Sequence, residues 1–359
     1  MAGHLSGSGH DEVAFVGTPD GLEARLVPEA GVAFFALPAR GFDRARPLSM
    51  LTAVFVLAAS TVRAWRLIGR WRPDAVVGFG GYVSLPVGFA AVARGIPIIL
   101  HEQNSVPGMA NKALSRWARA VAVTYADSKR RFRHPERVEL TGDPVRADVL
   151  GADRASARTA LGLPDDALML LVFGGSRGAR HLNQATIDLY SRLSEVPRLH
   201  VVHAAGSLDI QAAGERLAAA EASSADTVGE YRLVEYLDEM ASALAAADVV
   251  VARAGATSIA EITALGRASV LVPYPFATDD HQTLNARAVE AAGACIMVSD
   301  TELDSPVFAS AVMRLLEDPA ERARMADASA SLGRRDAGRR VADLARRWAE
   351  MHVRPGSGP

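Results

Sequence analysis

Short apolar runs alternate with longer helical stretches along the whole chain, and this alternation limits the fold more than any other feature. The runs predicted as strands are VAFVG (13–17), AVVGF (75–79), IPIIL (96–100), AVAVT (120–124), LMLLVFG (168–174), LHVVHA (199–204), DVVVA (248–252), ASVLVP (268–273) and CIMVS (295–299). The stretches predicted as helices include 83–94, 181–195, 207–222, 257–265 and 280–292. Because strands buried on both faces are apolar throughout, the pattern predicts parallel sheets covered by helices on both sides.

A polar segment at 141–165 divides this series into two halves. With 359 residues, the chain is long enough for two domains. We therefore predict two consecutive doubly wound α/β domains with a cleft between them. In such sheets ligands bind outside the carboxyl ends of the strands, so the cleft is the expected site.

Composition excludes several classes of protein. The formal net charge of −2 argues against a partner that is a large polyanion such as a nucleic acid, so any basic surface is local. Cys295 is the only cysteine, which excludes an internal disulfide framework. The opening MAGHLSGSGHDE has no apolar signal region, and no uncharged apolar run reaches the length of a membrane span.

The segment GGSRGA (174–179) follows a predicted strand and precedes a predicted helix. It is neither the dinucleotide G-x-G-x-x-G nor a P-loop, because no G-K-[ST] follows. It still offers closely spaced backbone N–H groups, the Ser176 hydroxyl and a helix N-terminus, which together suit a phosphate. The alternative is a tight turn in which the glycines serve only geometry.

A second strand end of this kind lies in ARAGATSIAEITALG (252–266). Glu261 follows Ser258 by three residues, so it either completes a capping box with Ser258 or accepts hydrogen bonds from sugar hydroxyls. In the next loop, Asp279 and Asp280 suit a helix cap better than a metal site, and the chain has no Asp-x-Asp triplet. We therefore expect no metal and no cofactor.

Two loops in the first half carry polar or glycine-rich residues after predicted strands. GFGGYVSLP (78–86) presents glycine N–H groups suited to an anion, and HEQNSVPG (101–108) places four polar side chains at the end of a buried strand. Between the halves, TGDPVR (141–146) places Arg146 where it can neutralise a diphosphate.

The stretch 44–73 has a different character from the rest of the chain. It contains six arginines and no acidic residue, around the apolar centre LTAVFVLAAS and beside Trp65 and Trp71. Its apolar part is too short to span a bilayer. Either it is a buried core helix or it is an interfacial helix on anionic lipid.

Taken in order, GFGGYVS, HEQN, TGDPVR, FGGSRGARHLN, RAGATSIAEI and DDHQTLNA resemble the MurG family of bacterial glycosyltransferases. The resemblance implies the GT-B arrangement of two Rossmann-like domains with an interdomain cleft and no metal. It also implies inverting transfer of N-acetylglucosamine from UDP-N-acetylglucosamine to the C4 hydroxyl of N-acetylmuramic acid in lipid I. The product would be lipid II, a peptidoglycan precursor, made by a peripheral enzyme on the cytoplasmic side of the cell membrane.

The family's functional residues map onto this sequence residue by residue. The acceptor domain would comprise 1–141 completed by the C-terminal helix 337–359, and the donor domain 142–336. The acceptor diphosphate loop would be Gly80, Gly81, Tyr82 and Ser84. Glu261 would hold the ribose hydroxyls, Leu237 would lie near the uracil and Asn104 near the donor sugar. The full set of UDP-N-acetylglucosamine contacts would be Asn104, Arg146, Ser176, Leu237, Ala256, Thr257, Ser258, Glu261 and Gln282.

One family feature has no match in this chain. The family opens with a strand and a GGTGGH-like loop, whose histidine is a favoured general base, whereas here the first predicted strand is 13–17. His4 is too close to that strand to take the role, and His101 is a weak candidate. We expect the missing strand to open the sheet. A truncated, non-catalytic UDP-sugar-binding remnant is therefore the alternative function, whereas the motif order disfavours other GT-B enzymes such as UDP-sugar epimerases.

Overall fold

Parallel strands lie at the centre of both units into which the chain divides, Met1–Pro144 with Asp336–Pro359 and Val145–Arg335. The structure is a computed structural model that describes residues 1–6, 11–39, 47–175 and 179–352, and it gives side-chain environments for all of these except 6 and 47–54. The first unit contains β1 (Ala14–Gly17), β2 (Ala33–Ala36), β3 (Val76–Gly78), β4 (Ile98–Glu102), β5 (Ala120–Val123) and β6 (Val138–Leu140). The second contains β7 (Leu168–Phe173), β8 (Leu199–Ala204), β9 (Glu230–Val234), β10 (Val249–Arg253), β11 (Ala268–Val272) and β12 (Ile296–Met297).

Helices cover these sheets. They are α1 (Ala2–Ser6), α2 (Glu23–Glu29), α3 (Pro47–Trp71), α4 (Ser84–Ala93), α5 (Met109–Leu114), α6 (Ala147–Gly151), α7 (Arg154–Ala160), α8 (Arg180–Asp188), α9 (Tyr190–Leu193), α10 (Ile210–Ser223), α11 (Met240–Ala246), α12 (Ala256–Ala264), α13 (His281–Ala291), α14 (Pro306–Glu317), α15 (Pro319–Leu332) and α16 (Ala337–Glu350). The prediction of a parallel α/β fold is confirmed, since every strand pair among the described residues is parallel.

The second unit has one six-stranded sheet in the order β12-β11-β10-β7-β8-β9. Successive residues of β7 point to opposite faces, so Leu170 joins one apolar cluster and Leu171 the other. Both residues are fully buried. This explains why the central strands are apolar throughout.

The first unit has two sheets among its described residues, β1-β2 and β3-β4-β5-β6. On β4, Ile98 packs with α3 and α4, whereas Ile99 packs with Val341 and Leu344 of α16. The last helix of the chain therefore covers one face of the first unit.

Helix α3 has one buried side and one exposed side. Ser60, Ala64 and Ile68, spaced four residues apart, are buried, whereas Phe55 and Trp65 are 74% and 46% exposed. Its packing is chiefly against α4. The buried-helix hypothesis therefore describes one face of α3, and the interfacial hypothesis remains open for the other. Within the described residues, no helix is both long enough and apolar enough to cross a bilayer.

Each predicted strand overlaps a strand of the structure, but three strands were missed. They are β2, β6 and β9. β6 is VEL and β9 is EYRLV, and both are the last strands of their sheets. Edge strands are only partly covered, so they lack the continuous apolar run on which the prediction relied.

Candidate functional site

The strand order of the second unit reverses between β7 and β10. β7 is the first strand of this unit, and the chain builds β8 and β9 on one side of it and β10, β11 and β12 on the other. Helices α8 and α12 follow these two adjacent strands. Such a switch point leaves a crevice at the carboxyl ends of the strands, where doubly wound folds bind ligands.

The turn between β7 and α8 requires glycine. Gly175 has a φ of +100°, in the region that favours glycine, and a Cβ on Gly174 would lie 2.9 Å from the Ala179 nitrogen. The N-cap residue Ala179 has no side chain that could accept from the first N–H groups of α8. The helix start is therefore suited to an external anion. The predicted contact Ser176 lies outside the described residues.

Helix α12 begins in the same way, with Gly255 as its N-cap and no side-chain cap. Thr257 is exposed, and Ala256 and Ser258 are half-buried at the start of the helix. The predicted capping box between Ser258 and Glu261 is wrong. The helix starts earlier than the prediction placed it, so Ser258 lies inside the first turn rather than at the N-cap.

Glu261 pairs with Arg146 instead. The Arg146 Nε donates to Glu261 Oε1 at 3.0 Å, and Asp148 lies 3.3 Å from the same guanidinium. Burial by itself lowers the pKa of Arg146, but its hydrogen bond to Glu261 and the nearby carboxylates outweigh this effect and raise that pKa. The Arg146 side chain is half-exposed while Glu261 is buried. The pair thus presents a permanent positive charge on the solvent side and a carboxylate behind it.

The remaining predicted donor contacts of this unit occupy different environments. Leu237 is buried in an apolar cluster with Ile259 and other residues of the second unit. Gln282, in the first turn of α13, accepts a hydrogen bond from the Tyr274 main chain at 2.9 Å through its side-chain oxygen. This leaves its amide NH₂ group as a donor. Phe276, near Gln282 in sequence, is 81% exposed.

A buried polar network anchors α8 and was missed by the sequence analysis. Asn183 donates to the Ala205 carbonyl at 2.9 Å and to Asp209 at 2.7 Å. The Nε2 of His203 donates to Asn183 Oδ1 at 3.0 Å, and Tyr231 donates its hydroxyl hydrogen to Nδ1 at 2.8 Å. Burial lowers the pKa of His203 to about 4. The network fixes the helix that carries the candidate anion site, and only tertiary structure brings its members together.

A second network was also missed. His181, at the start of α8, contacts Asp300 at 2.9 Å and Asp304 at 3.1 Å, and Arg253 at the end of β10 lies 2.6 Å from Asp300. The hydrogen bond with Asp300 raises the pKa of His181 despite partial burial. Asp300 therefore links β10, the strand before the Gly255 turn, to α8, the helix after the turn at Gly174 and Gly175.

The glycine loop of the first unit has the predicted geometry. Gly80 and Gly81 have φ values of +82° and +75°, and Ser84 opens α4 with its hydroxyl bonded to the Gly80 carbonyl. Tyr82 is about half-exposed. These residues form a strand-to-helix turn between β3 and α4.

The HEQN loop is held mainly by its own polar side chains. Glu102 is buried and accepts from the Asn104 and Gly108 main-chain N–H groups and from Asn111 at 2.8 Å. Gln103 donates to the Phe79 carbonyl at 3.1 Å, which links this loop to the glycine loop. The side chains of Glu102 and Gln103 therefore have structural roles. Asn104 lies half-buried on the loop that Glu102 stabilises.

His101 is fully buried. Its Nε2 donates to the Gly142 carbonyl at 2.9 Å, and its Nδ1 lies 4.0 Å from Asp143. Burial lowers the pKa of His101 to about 4 despite the hydrogen bond to Gly142. A buried, neutral and weakly basic imidazole is poorly placed to take a proton from a substrate, so the structure disfavours His101 as the general base.

Across the described ranges, no group of three or more His, Cys, Asp or Glu side chains is arranged to hold a metal ion. Asp280 accepts from the Thr283 hydroxyl at 2.6 Å and makes no side-chain cap of α13. Asp280 is nevertheless the N-cap residue of this helix, as predicted, although its carboxylate accepts from no main-chain N–H group of the first turn.

Two parallel α/β units in one chain, the second with a doubly wound switch point, form the architecture found in the class of GT-B glycosyltransferases. The sequence models of the N-terminal and C-terminal domains of glycosyltransferase family 28 match residues 1–123 and 169–341. A UDP-N-acetylglucosamine--N-acetylmuramyl-(pentapeptide) pyrophosphoryl-undecaprenol N-acetylglucosamine transferase from Desulforudis audaxviator is 42% identical, over 96% of this chain and 92% of that protein. The chain belongs to this family, the MurG transferases.

Solved structures agree with this assignment. The crystal structure of Acinetobacter baumannii MurG is similar, with a TM-score of 0.74, 30% identity, and coverage of 96% of this chain and 94% of that one. A UDP-GlcNAc 2-epimerase from Neisseria meningitidis, bound to UDP-GlcNAc, has a TM-score of 0.66 at 14% identity, with 96% and 94% coverage. The second likeness concerns the fold alone.

Proposed function

We propose that this chain transfers N-acetylglucosamine from UDP-N-acetylglucosamine to the C4 hydroxyl of N-acetylmuramic acid in lipid I, producing lipid II and UDP. The observation that carries the proposal is the switch point of the second unit in a chain of this family. There two uncapped helix N-termini begin after adjacent strands.

The diphosphate of the donor would bind where α8 and α12 begin. Each helix N-terminus offers N–H groups that have no partner within the helix, and the positive end of a helix dipole. Arg146 adds a full positive charge. Its guanidinium is half-exposed, so an anion can approach it from solvent. Together these groups replace the metal that other transferases use to neutralise a departing diphosphate.

The rest of the donor would be held by residues on either side of this point. We place the ribose hydroxyls against the Glu261 carboxylate, with the uracil close to Leu237. Ala256, Thr257 and Ser258 would contact the donor at the start of α12, and Gln282 would donate its free NH₂ group to the sugar. Ser176 and Asn104 remain family-based assignments.

The reaction is a single inverting displacement. The C4 oxygen of the acceptor forms a bond to C1 of N-acetylglucosamine as the bond from C1 to the UDP phosphate oxygen breaks. The hydroxyl proton passes to a base, and the electron pair of the broken bond leaves with UDP. We assign the base to no residue, since His101 is buried. Holding both substrates in one orientation supplies much of the remaining rate enhancement.

The first unit would bind the acceptor. The N–H groups around Gly80 and Gly81, at the start of α4, suit the diphosphate of lipid I. Tyr82 and Ser84 belong to the same turn. Such an acceptor is anchored in a bilayer by its undecaprenyl chain, so this unit must meet the membrane surface.

The exposed side of α3 fits that requirement. It presents Phe55, Val62 and Trp65, and Arg63 and Arg66 lie on the same helix. Aromatic and apolar side chains beside arginines bind the interface of anionic bilayers. We therefore propose a peripheral location on the cytoplasmic face of the membrane.

The direct test is transfer of labelled N-acetylglucosamine from the UDP-sugar to a lipid I analogue, with the anomeric configuration of the product read by NMR. The expected product is a β-linked disaccharide, and Arg146→Gln should lower kcat/KM by about 10- to 100-fold. Arg314→Gln, which removes an exposed arginine outside the site, is the matched control. UDP-N-acetylglucosamine binding without any transfer would instead establish the non-catalytic remnant.

A further inference from the structure

Charged side chains from three segments form a cluster at the start of α8. His181, in the first turn of this helix, lies 2.9 Å from Asp300 through its Nδ1 and 3.1 Å from Asp304 through its Nε2. The Arg253 guanidinium lies 2.6 Å from the other oxygen of Asp300. Arg253 and Asp300 are largely buried, whereas the Asp304 side chain is 77% exposed. The cluster therefore joins β10, α8 and the segment after β12.

The contacts of His181 fix its protonation state. An ionised carboxylate only accepts hydrogen bonds, whereas a neutral imidazole has a single N–H donor. Because a carboxylate meets each ring nitrogen of His181, both nitrogens carry a proton, and the ring is an imidazolium. The hydrogen bond to Asp300 correspondingly raises the pKa of His181. Burial by itself would raise the pKa of Asp300, but its contacts with His181 and Arg253 outweigh burial and lower that pKa.

Protonated His181 makes the cluster neutral, because two cations then face two carboxylates. Other charged side chains that flank the cluster have partners of their own. These pairs are Arg180 with Asp209, Arg216 with Asp188, and Glu302 with Ser299. Loss of the His181 proton would therefore leave the single positive charge of Arg253 against the two negative charges of Asp300 and Asp304.

This balance of charge matters because of where the cluster lies. The N-cap residue of α8, Ala179, makes no side-chain cap, and the first N–H groups of the helix are those proposed to bind the donor diphosphate. Since an α-helix rises about 1.5 Å per residue, His181 lies within a few ångströms of an anion bound at the helix start. Carboxylates at that range repel a diphosphate unless a cation balances them.

We propose that His181, as an imidazolium, neutralises Asp300 and Asp304 beside the diphosphate of UDP-N-acetylglucosamine, so that loss of its proton weakens binding of the donor. The inference rests on the proposed donor site and adds to it a residue outside the donor contacts that the family resemblance implies. The donor should bind tightly while the pH is below the pKa of His181, and less tightly as the pH rises through that pKa.

The test is the affinity for UDP-N-acetylglucosamine between pH values of about 6 and about 8.5, measured by calorimetry. The diphosphate of a sugar nucleotide keeps both charges over this range, so it contributes no titration of its own. The Kd of the unmodified protein should rise about tenfold with pH. Uridine, which has no phosphate, should show no such rise when it is measured by competition.

Variants separate the charge of His181 from its shape. His181→Gln should bind the donor weakly at every pH, with no rise in Kd across the range. His181→Lys, which keeps a positive charge up to a pH of about 10, should bind tightly at every pH. His200→Gln is the matched control, because His200 also pairs with a carboxylate, that of Glu230, but lies on β8. Its Kd should follow that of the unmodified protein.

Several results would overturn the inference while the proposed function stands, because the protein would still bind the donor. A Kd that changes by less than about twofold in the unmodified protein would do so, and this measurement needs no variant. An equal rise in Kd for uridine would mean that the diphosphate is not involved. The same pH dependence in His181→Gln would assign the titration to another group, and weak binding by a folded His181→Lys would mean that charge is not what His181 contributes. Absence of donor binding at every pH would overturn both the inference and the proposed function.

Discussion

Replacing Glu261 with glutamine should weaken binding of the ribose while leaving the stability of the second unit nearly unchanged. The glutamine side chain keeps an oxygen that can accept from Arg146, so the contact at 3.0 Å can persist without the charge. The Arg146 side chain is 51% exposed. An ion pair of that exposure is worth at most about 1 kcal/mol, so the unfolding temperature should fall by no more than about 4 °C.

The effect on substrate binding should be larger. A hydrogen bond to a charged acceptor contributes about 1.5–3 kcal/mol, which corresponds to a rise of about 10- to 150-fold in KM for UDP-N-acetylglucosamine. Because the proposed contact is with the ribose, away from the reacting carbon, kcat should change much less than KM. Steady-state transfer kinetics with varied UDP-sugar would give both values, and calorimetry with UDP would give the binding term alone.

Glu321→Gln is a matched control. Glu321 is also largely buried, belongs to the same unit and pairs with Arg314 and Arg324, but it lies on α15. Its replacement should leave KM unchanged. Glu261 would have no role in ribose binding if Glu261→Gln changed KM by less than about threefold, or if only the apparent kcat fell, in proportion to the loss of folded protein, as it would for a purely structural pair.

Three further predictions concern pH, the membrane and metals. The pKa of His203 is lowered to about 4, so its neutral form stabilises the fold above its unfolded pKa near 6.5, and this stability is lost as pH falls toward 4. The loss is about 2 kcal/mol at pH 5, and urea unfolding of His203→Gln, but not of His200→Gln on the same strand, should show a flatter pH dependence between pH 7 and 5. Phe55→Ser should weaken binding to vesicles that contain anionic lipid by about tenfold, whereas Leu208→Ser, an exposed leucine of the second unit, should not; equal binding of both variants would exclude α3 as the contact. Transfer should persist in excess EDTA, and a loss restored by Mg²⁺ would contradict a metal-independent mechanism.

The parallel α/β fold and the glycine turns could be predicted because their causes are local. An apolar run such as LMLLVF needs burial on both faces whatever surrounds it. Likewise, a chain that turns at Gly175 with a φ of +100° requires glycine at that residue. Short edge strands such as β6 gave no such signal, because an edge position removes the need for a continuous apolar run.

The roles of polar residues were harder to predict. HEQN drew attention as a cluster, but Glu102 accepts from main-chain N–H groups of its own loop and Gln103 donates to the Phe79 carbonyl of the glycine loop. His101 is buried. Glu261 fitted a capping box by spacing, yet its partner is Arg146, 115 residues earlier in the chain. A hydrogen bond between residues so far apart cannot be predicted from the spacing of residues in the sequence.

By itself, then, the sequence determined the fold class, the order of the motifs and the family, because each depends on short-range patterns of burial and backbone geometry. The tertiary structure decided which polar groups are free to meet a substrate and which hold loops in place. It also decided that Asp300 meets both His181 and Arg253. Both outcomes depend on contacts between segments far apart in the chain, where the cost of leaving a buried N–H, carbonyl or carboxylate unpaired selects the arrangement.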